Sequence, residues 1–242
     1  MRDSDVDPAD DQGRDPLAVF AELGQIVVSD APAEQTLRRV AELAKEGLDG
    51  VEDISLTLVE NSQPRSVVFT GRLAVDLDER QYDLGFGPCL DAARTGQTII
   101  VDGEGVGSPY REYAQVAFRA GVRHTISVGM PLGERSIGGL NIYSTDAAPI
   151  SEAFVQRAEA FAGYAAATVA NVASYARASN DVANLQRALD SRAVIEQAKG
   201  VIIARDRCTP DEAFEVLVRI SQHQHVKIRD LAHDIVDSAQ KE

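Results

Sequence analysis

The chain has 242 residues, 44% of them hydrophobic, and a net charge of −14. No apolar run is long enough to cross a bilayer, and the acidic start is unlike a secretion signal, so a cytoplasmic protein without a membrane partner is expected. The only two cysteines, Cys89 and Cys208, lie far apart at no metal-ligand spacing, so neither a disulfide scaffold nor a metal site is expected.

Residues 1–15 contain Asp3, Asp5, Asp7, Asp10, Asp11 and Asp15 with almost no apolar content, and read as a disordered acidic tail. From Pro16, the residues Leu17, Phe20, Leu23, Ile26 and Val27 recur at helical spacing. A second helix places Leu37, Val40, Leu43, Ala44 and Leu48 on one face, between Pro32 and Gly50. Short strands follow at Ile54–Val59, Ser66–Thr70, Thr98–Val101, His124–Pro131 and Ile137–Ser144. Short helices are predicted near Pro88–Thr95 and Tyr110–Ala120. Two leading helices, an antiparallel sheet and a closing helix make an α+β domain.

The runs Tyr82–Asp91, Gly96-Gln97-Thr98, Gly121-Val122-Arg123-His124 and Gly138–Tyr143 resemble the GAF fold, in the form attached to RNA-binding modules of actinobacterial regulators. The likeness covers residues 16–175 and implies a sensor domain enclosing a small-molecule pocket between the sheet and the loops on one face. No cofactor is identified; the ligand is an unknown small molecule. Cys89, after Gly85-Phe86-Gly87-Pro88, and His124, opening a strand, are the candidate ligand contacts. The loop Asp102–Ser108 is expected to border the pocket. Cys89 is alone in this domain, so a dithiol redox cycle cannot be built within it, and an enzyme is not expected.

Beyond Ser151 there is no proline until Pro210, and the only glycines are Gly163 and Gly200. One helix from Ser151 to about Ala204 would be about 80 Å long. Tyr175, Ala178, Val182, Leu185 and Leu189 alternate steps of three and four, a coiled-coil seam over residues 176–190 that points to a homodimer.

The C-terminal stretch contains Ser191–Gly200, Asp211-Glu212-Ala213-Phe214 and Lys227–Ala232. These blocks resemble the ANTAR module over residues 185–240, which implies an all-α three-helix domain that binds paired stem-loops in nascent RNA and acts on the transcription machinery indirectly. Ala193, Ile195, Ala198, Ile202 and Ile203 are expected in its core, with Gly200 admitting Phe214 or Leu217 at close range. Thr209, Pro210 and Glu212 spell a capping box for the second helix. Ala213, Phe214, Leu217 and Ile220 form its apolar face, and Ile228, Leu231, Ala232, Ile235 and Val236 that of the third.

The candidate RNA contacts are Arg192, Lys199, Arg219, His223, His225, Lys227 and Arg229, since loop bases are read by planar side chains and phosphates by cations. With Phe214 assigned to the core, stacking falls to arginine planes or to His223 and His225. The sequence departs from the family at Val218 and Val226, where many members carry a basic residue. Residues 187–242 hold 9 Lys+Arg and 10 Asp+Glu, a net of −1, leaving −13 for residues 1–186. A DNA-binding regulator is the alternative, but no basic recognition helix supports it.

Overall fold

Asp15 opens the first helix of the computed structural model, which describes residues 14–29, 31–60 and 63–239. Its carboxylate accepts the Leu17 N–H at 3.0 Å and Pro16 begins the helix, so α1 runs Pro16–Gly24. Residues 1–13 of the acidic stretch lie outside the described residues. Arg14 and Asp15 belong to the fold instead: Arg14 pairs with Glu22 at 3.0 Å and also with Glu46. The inward side of α1 is Val19 and Leu23, while Leu17 and Val27 are exposed. The expected stripe fails because the helix stops at Gly24 and cannot carry Ile26 and Val27 round to the same face.

Helix α2 (Ala33–Gly47) turns Leu37, Val40, Leu43 and Ala44 inward, and Leu48, extended just past its end, is buried too. Then come β1 (Asp53–Glu60), β2 (Gln63–Phe69), α3 (Arg72–Leu84), α4 (Pro88–Thr95), β3 (Thr98–Asp102), α5 (Arg111–Arg119), β4 (His124–Leu132) and β5 (Arg135–Ser144). The strands form one antiparallel sheet in the order β2-β1-β5-β4-β3. Helix α6 spans Glu152–Asp206, followed by α7 (Pro210–Gln224) and α8 (Ile228–Ala239). The chain divides into two units, residues 1–176 and 177–242.

Successive strand residues point to opposite faces, and this sheet uses the two faces differently. On one face Ile54, Ile142 and Ile126 align across β1, β5 and β4, with Leu56, Leu140 and Val128 in the next row. That face packs on α1, α2 and the start of α6, which contributes Phe154, Ala158, Phe161, Ala165, Val169 and Val172. On the other face Ser55, Asn141 and Ser127 align, beside Thr125, Tyr143 and Thr57.

A polar row of this kind usually faces water. Here it is buried beneath α3, α4 and α5, and several of its groups bond to one another, while Ser127 Oγ and Asn141 Oδ1 have no hydrogen-bond partner among the described residues. Asn141 Nδ2 donates to Ser55 Oγ at 2.9 Å and Thr57 Oγ1 at 3.0 Å. Ser55 Oγ donates to Asp78 Oδ2 at 2.6 Å, and the Tyr143 hydroxyl donates to Asp78 Oδ1. Helix α4 sits flush on this face. A Cβ at Gly129 would lie 2.3 Å from the carbonyl carbon of Gly96, so only glycine fits. Helix α3 was not predicted from sequence. Its buried face is Ala74, Leu77, Asp78 and Gln81, half of it polar, which erases the apolar period.

In the second unit the core is Val194, Ala198 and Ile202 of α6 with Ala213, Leu217, Leu231 and Ala232. Three expectations are corrected here. Val194 is buried and Ala193 is exposed. Phe214 is 41% exposed rather than core, because Ala213, Leu217 and Ile220 centre the inward face of α7 and leave Phe214 on its flank. Gly200 faces open space, with nothing within 4 Å of a Cβ placed there, so it admits no close neighbour.

Candidate functional site

Arg192 and Lys199 are seven residues apart on α6, hence about 20° apart around the helix. Glu196 lies between them. The Lys199 ammonium donates to both Glu196 carboxylate oxygens at 2.9 Å, with its side chain 15% exposed against 58% for Glu196. Arg192 is exposed and, among the described residues, makes no ion pair.

Helix α7 begins with the expected capping box. The Thr209 side chain accepts the Glu212 N–H at 3.3 Å, and the Glu212 carboxylate accepts the Thr209 N–H at 2.8 Å. Those bonds to Thr209 hold the Glu212 carboxyl below its usual range. Charge is polarised along the helix: Asp211, Glu212 and Glu215 occupy its start, Arg219 and His223 its end. His225 caps the end in the left-handed region (φ 54°), donating its N–H to Ser221 O. Ser221 secures the turn further, since its hydroxyl donates to Val226 O at 2.6 Å and its carbonyl accepts the Val226 N–H at 3.1 Å. The Lys227 carbonyl then accepts from Asp230 N–H and Leu231 N–H, starting α8.

The predicted contacts therefore fall into two sets. Arg192 and Lys199 share one face of α6. Arg219, His223, His225 and Lys227 are exposed at the α7–α8 turn, and Arg229 follows, paired with Asp230 at 3.1 Å. Sequence reasoning missed two further groups. Arg207 is exposed in the left-handed region (φ 56°) between α6 and α7, and Phe214 presents the module's one aromatic side chain to solvent. The helix-breaking run Arg205–Thr209 was the available signal for the first.

In the first unit Cys89 is buried at the second position of α4, its N–H donating to Gln81 Oε1 at 2.8 Å. Burial, with Asp78 nearby, pushes its thiol well above the ordinary range, so the thiolate is disfavoured. His124 opens β4 with Nδ1 2.9 Å from Asp102 Oδ1 on the neighbouring strand. The two residues are not brought together, and neither lines the cleft found where α3 ends and α5 begins. That cleft, of about 150 Å³, is lined by Leu84, Phe86, Pro109, Tyr110, Glu112 and Tyr113. The loop Asp102–Ser108 ends beside it without lining it. Among the described residues no group of three His, Cys, Asp or Glu side chains is placed to hold a metal, and no helix is long and apolar enough to cross a membrane.

Comparison with known proteins adds to this geometry. A family model for the GAF domain matches residues 30–170, more than half of the chain, and one for the ANTAR domain matches residues 183–236. Among solved structures, the GAF domain of a phosphoenolpyruvate-protein phosphotransferase from Coxiella burnetii is 18% identical, with a TM-score of 0.51 over 69% of this chain and 96% of that one. A free methionine-R-sulfoxide reductase from Thermoplasma acidophilum is 17% identical, over 58% of this chain and 94% of its own, with a TM-score of 0.45. The phycocyanobilin-bound GAF domain of a cyanobacterial phytochrome is 12% identical, over 65% and 95%, with a TM-score of 0.48. No curated protein matches the chain.

Proposed function

Because the chain belongs to the GAF domain family and carries an ANTAR domain after its GAF domain, we propose that it is a signal-responsive regulator that binds paired stem-loops in nascent transcripts and controls transcription antitermination. The GAF domain is the sensor and the ANTAR domain the RNA-binding module. Residues 16–175 form the sensor domain, 176–190 the linker and 185–240 the RNA-binding module. The protein acts in the cytoplasm and reaches the transcription machinery through the folding of the transcript.

The observation that carries this reading is the placement of charge in the ANTAR module. In a chain of net charge −14, the cations Arg219 on the last turns of α7 and Lys227 just after it are exposed together with His223 and His225, with the acidic residues of α7 at its other end. A local cationic surface on a neutral module attracts phosphate, while the acidic remainder repels nucleic acid that does not fit the site.

Residues 177–190 of α6 are all exposed, including Val182, Leu185 and Leu189, the last two at 65% and 61%. An isolated helical stretch with an apolar stripe favours a second copy over water, so the regulator is a homodimer through this seam. Pairing brings two modules together, which suits two stem-loops in one transcript. The test is binding of the full chain to a two-hairpin RNA and to a scrambled RNA of equal length. Selective binding weakened by Lys227→Ala supports the reading, and equal binding of both RNAs rejects it.

A further inference from the structure

Helix α3 ends at Leu84 with Gly85 in the left-handed region (φ 65°), and the Phe86 N–H then donates to Gln81 O at 3.2 Å. That turn carries the Phe86 side chain outward, where it is 43% exposed and stacks on Tyr110 with ring centroids 5.1 Å apart and planes 25° from parallel. Tyr110 is the N-cap residue of α5, and its hydroxyl donates to Asp91 Oδ2 at 2.9 Å. One turn further, Tyr113 is buried and forms the cleft floor, while Glu112 stands exposed at the rim. Three aromatic residues, Leu84 and Pro109 thus surround a space with one carboxylate and no basic side chain in its lining.

We propose that this cleft binds a small alkylammonium cation, of the type R–N(CH₃)₃⁺, and that such a cation is the ligand of the sensor domain. Aromatic faces carry negative quadrupole charge and attract a cation within about 6 Å of a ring centroid. The phenol of Tyr110 donates to a carboxylate, which enriches its ring in electron density. Methyl groups on the nitrogen match the apolar walls, and Glu112, which makes no ion pair among the described residues, supplies the counter-charge. A carboxylate or phosphate ligand would meet Glu112 in a chain of net charge −14. Size restricts the ligand as well, since about 150 Å³ holds roughly one benzene-sized molecule. A nucleotide or a bilin does not fit that space.

The assignment of this cation as a signal rests on the sensor reading; its binding does not. The experiment is calorimetric titration of the full chain with choline, and with dimethylbutanol, its uncharged carbon isostere. Choline is expected to bind with a Kd of about 1 mM or tighter, and at least about tenfold more tightly than the isostere. Phe86→Ala and Glu112→Gln are each expected to weaken choline by about threefold to tenfold while leaving the Tm of the free protein within a few degrees, because both side chains are exposed. Equal affinity for choline and its isostere overturns the proposal, as does the absence of heat at about 10 mM choline. Binding that passes these tests but leaves RNA affinity unchanged keeps the site and removes the sensing role.

Discussion

The Lys199 ammonium and the Glu196 carboxylate form a two-oxygen contact at 2.9 Å on α6, three residues apart on the helix face that also carries Arg192. An RNA phosphate arriving at Lys199 must displace that carboxylate or approach against its charge. On the proposed reading Glu196 is expected to lower the affinity of the module for RNA.

Replacing Glu196 by Gln is expected to raise RNA affinity about threefold to tenfold, through one removed repulsion and one freed cation. Lys199→Ala is expected to lower it by a similar factor and to make the salt dependence shallower. Filter binding across a salt series reads both. An unchanged affinity in Glu196→Gln means that this face does not meet RNA.

Gly71 sits against a carboxylate that closes the start of α3. Asp53 accepts the Ala74 N–H at 3.2 Å and the Thr70 hydroxyl at 3.3 Å, and a Cβ on Gly71 would lie 2.1 Å from its Oδ1. Gly71→Ala should cost about 2–4 kcal/mol in urea unfolding, from the clash and the displaced cap. Gly24→Ala, where nothing lies within 4 Å, is the control and should be neutral or slightly stabilising. Equal effects of the two substitutions contradict the described packing.

Tyr113 and Tyr143 are expected to set the alkaline limit of the sensor domain. Burial pushes both phenols upward, with the charge of Asp78 adding to it. A group whose folded pKa lies above its unfolded value of about 10 contributes stability that is complete below that pH and lost as pH rises through the folded pKa. Unfolding monitored by circular dichroism should therefore coincide with ionisation of these two tyrosines, seen as tyrosinate absorbance. Tyr143→Phe should lower stability at neutral pH by about 1–3 kcal/mol, since Asp78 loses one donor. Ionisation of all six tyrosines with the fold intact runs against this account.

Leu185→Asp tests the seam on α6. Each of Val182, Leu185 and Leu189 is more than 60% exposed in one copy, and burying such a side chain contributes about 1.5–3 kcal/mol. Sedimentation should show a dimer for the wild type and a monomer for the variant, with the helical signal outside the seam retained. A wild-type monomer at tens of micromolar removes the dimer from the mechanism.

The periodic parts of the fold were legible in the sequence. The five strands begin and end within three residues of their expected limits, and Thr209, Pro210 and Glu212 mark the start of α7 as expected. What was not legible follows from burial of polar groups and from the limited cover of a small module. Alternation in Asp53-Ile54-Ser55-Leu56-Thr57 announces a strand but not that its polar side is covered. Helix α3, which covers part of that side, meets it with Asp78 and Gln81 and so gives no apolar period.

The same limit applied to the sites. Phe214 and Leu217 are both apolar and one turn apart on α7, yet only Leu217 belongs to the buried core. Sequence placed the basic residues of the α7–α8 turn, but not the Glu196 contact that occupies Lys199. Nor did it pair Phe86 with Tyr110, which are 24 positions apart and meet only because α3 ends and α5 begins at the same cleft.

The central claim is that the C-terminal module reads stem-loop RNA through its cationic turn. Its most direct measurement is competition binding of the full chain to a labelled two-hairpin RNA, against scrambled RNA and duplex DNA, for the wild type and for Arg219→Ala with Lys227→Ala. The account predicts at least about tenfold preference for the hairpin RNA and a loss of about tenfold or more in the double variant, with a salt slope shallower by about two. Equal competition by duplex DNA, or unchanged hairpin affinity in the double variant, contradicts it.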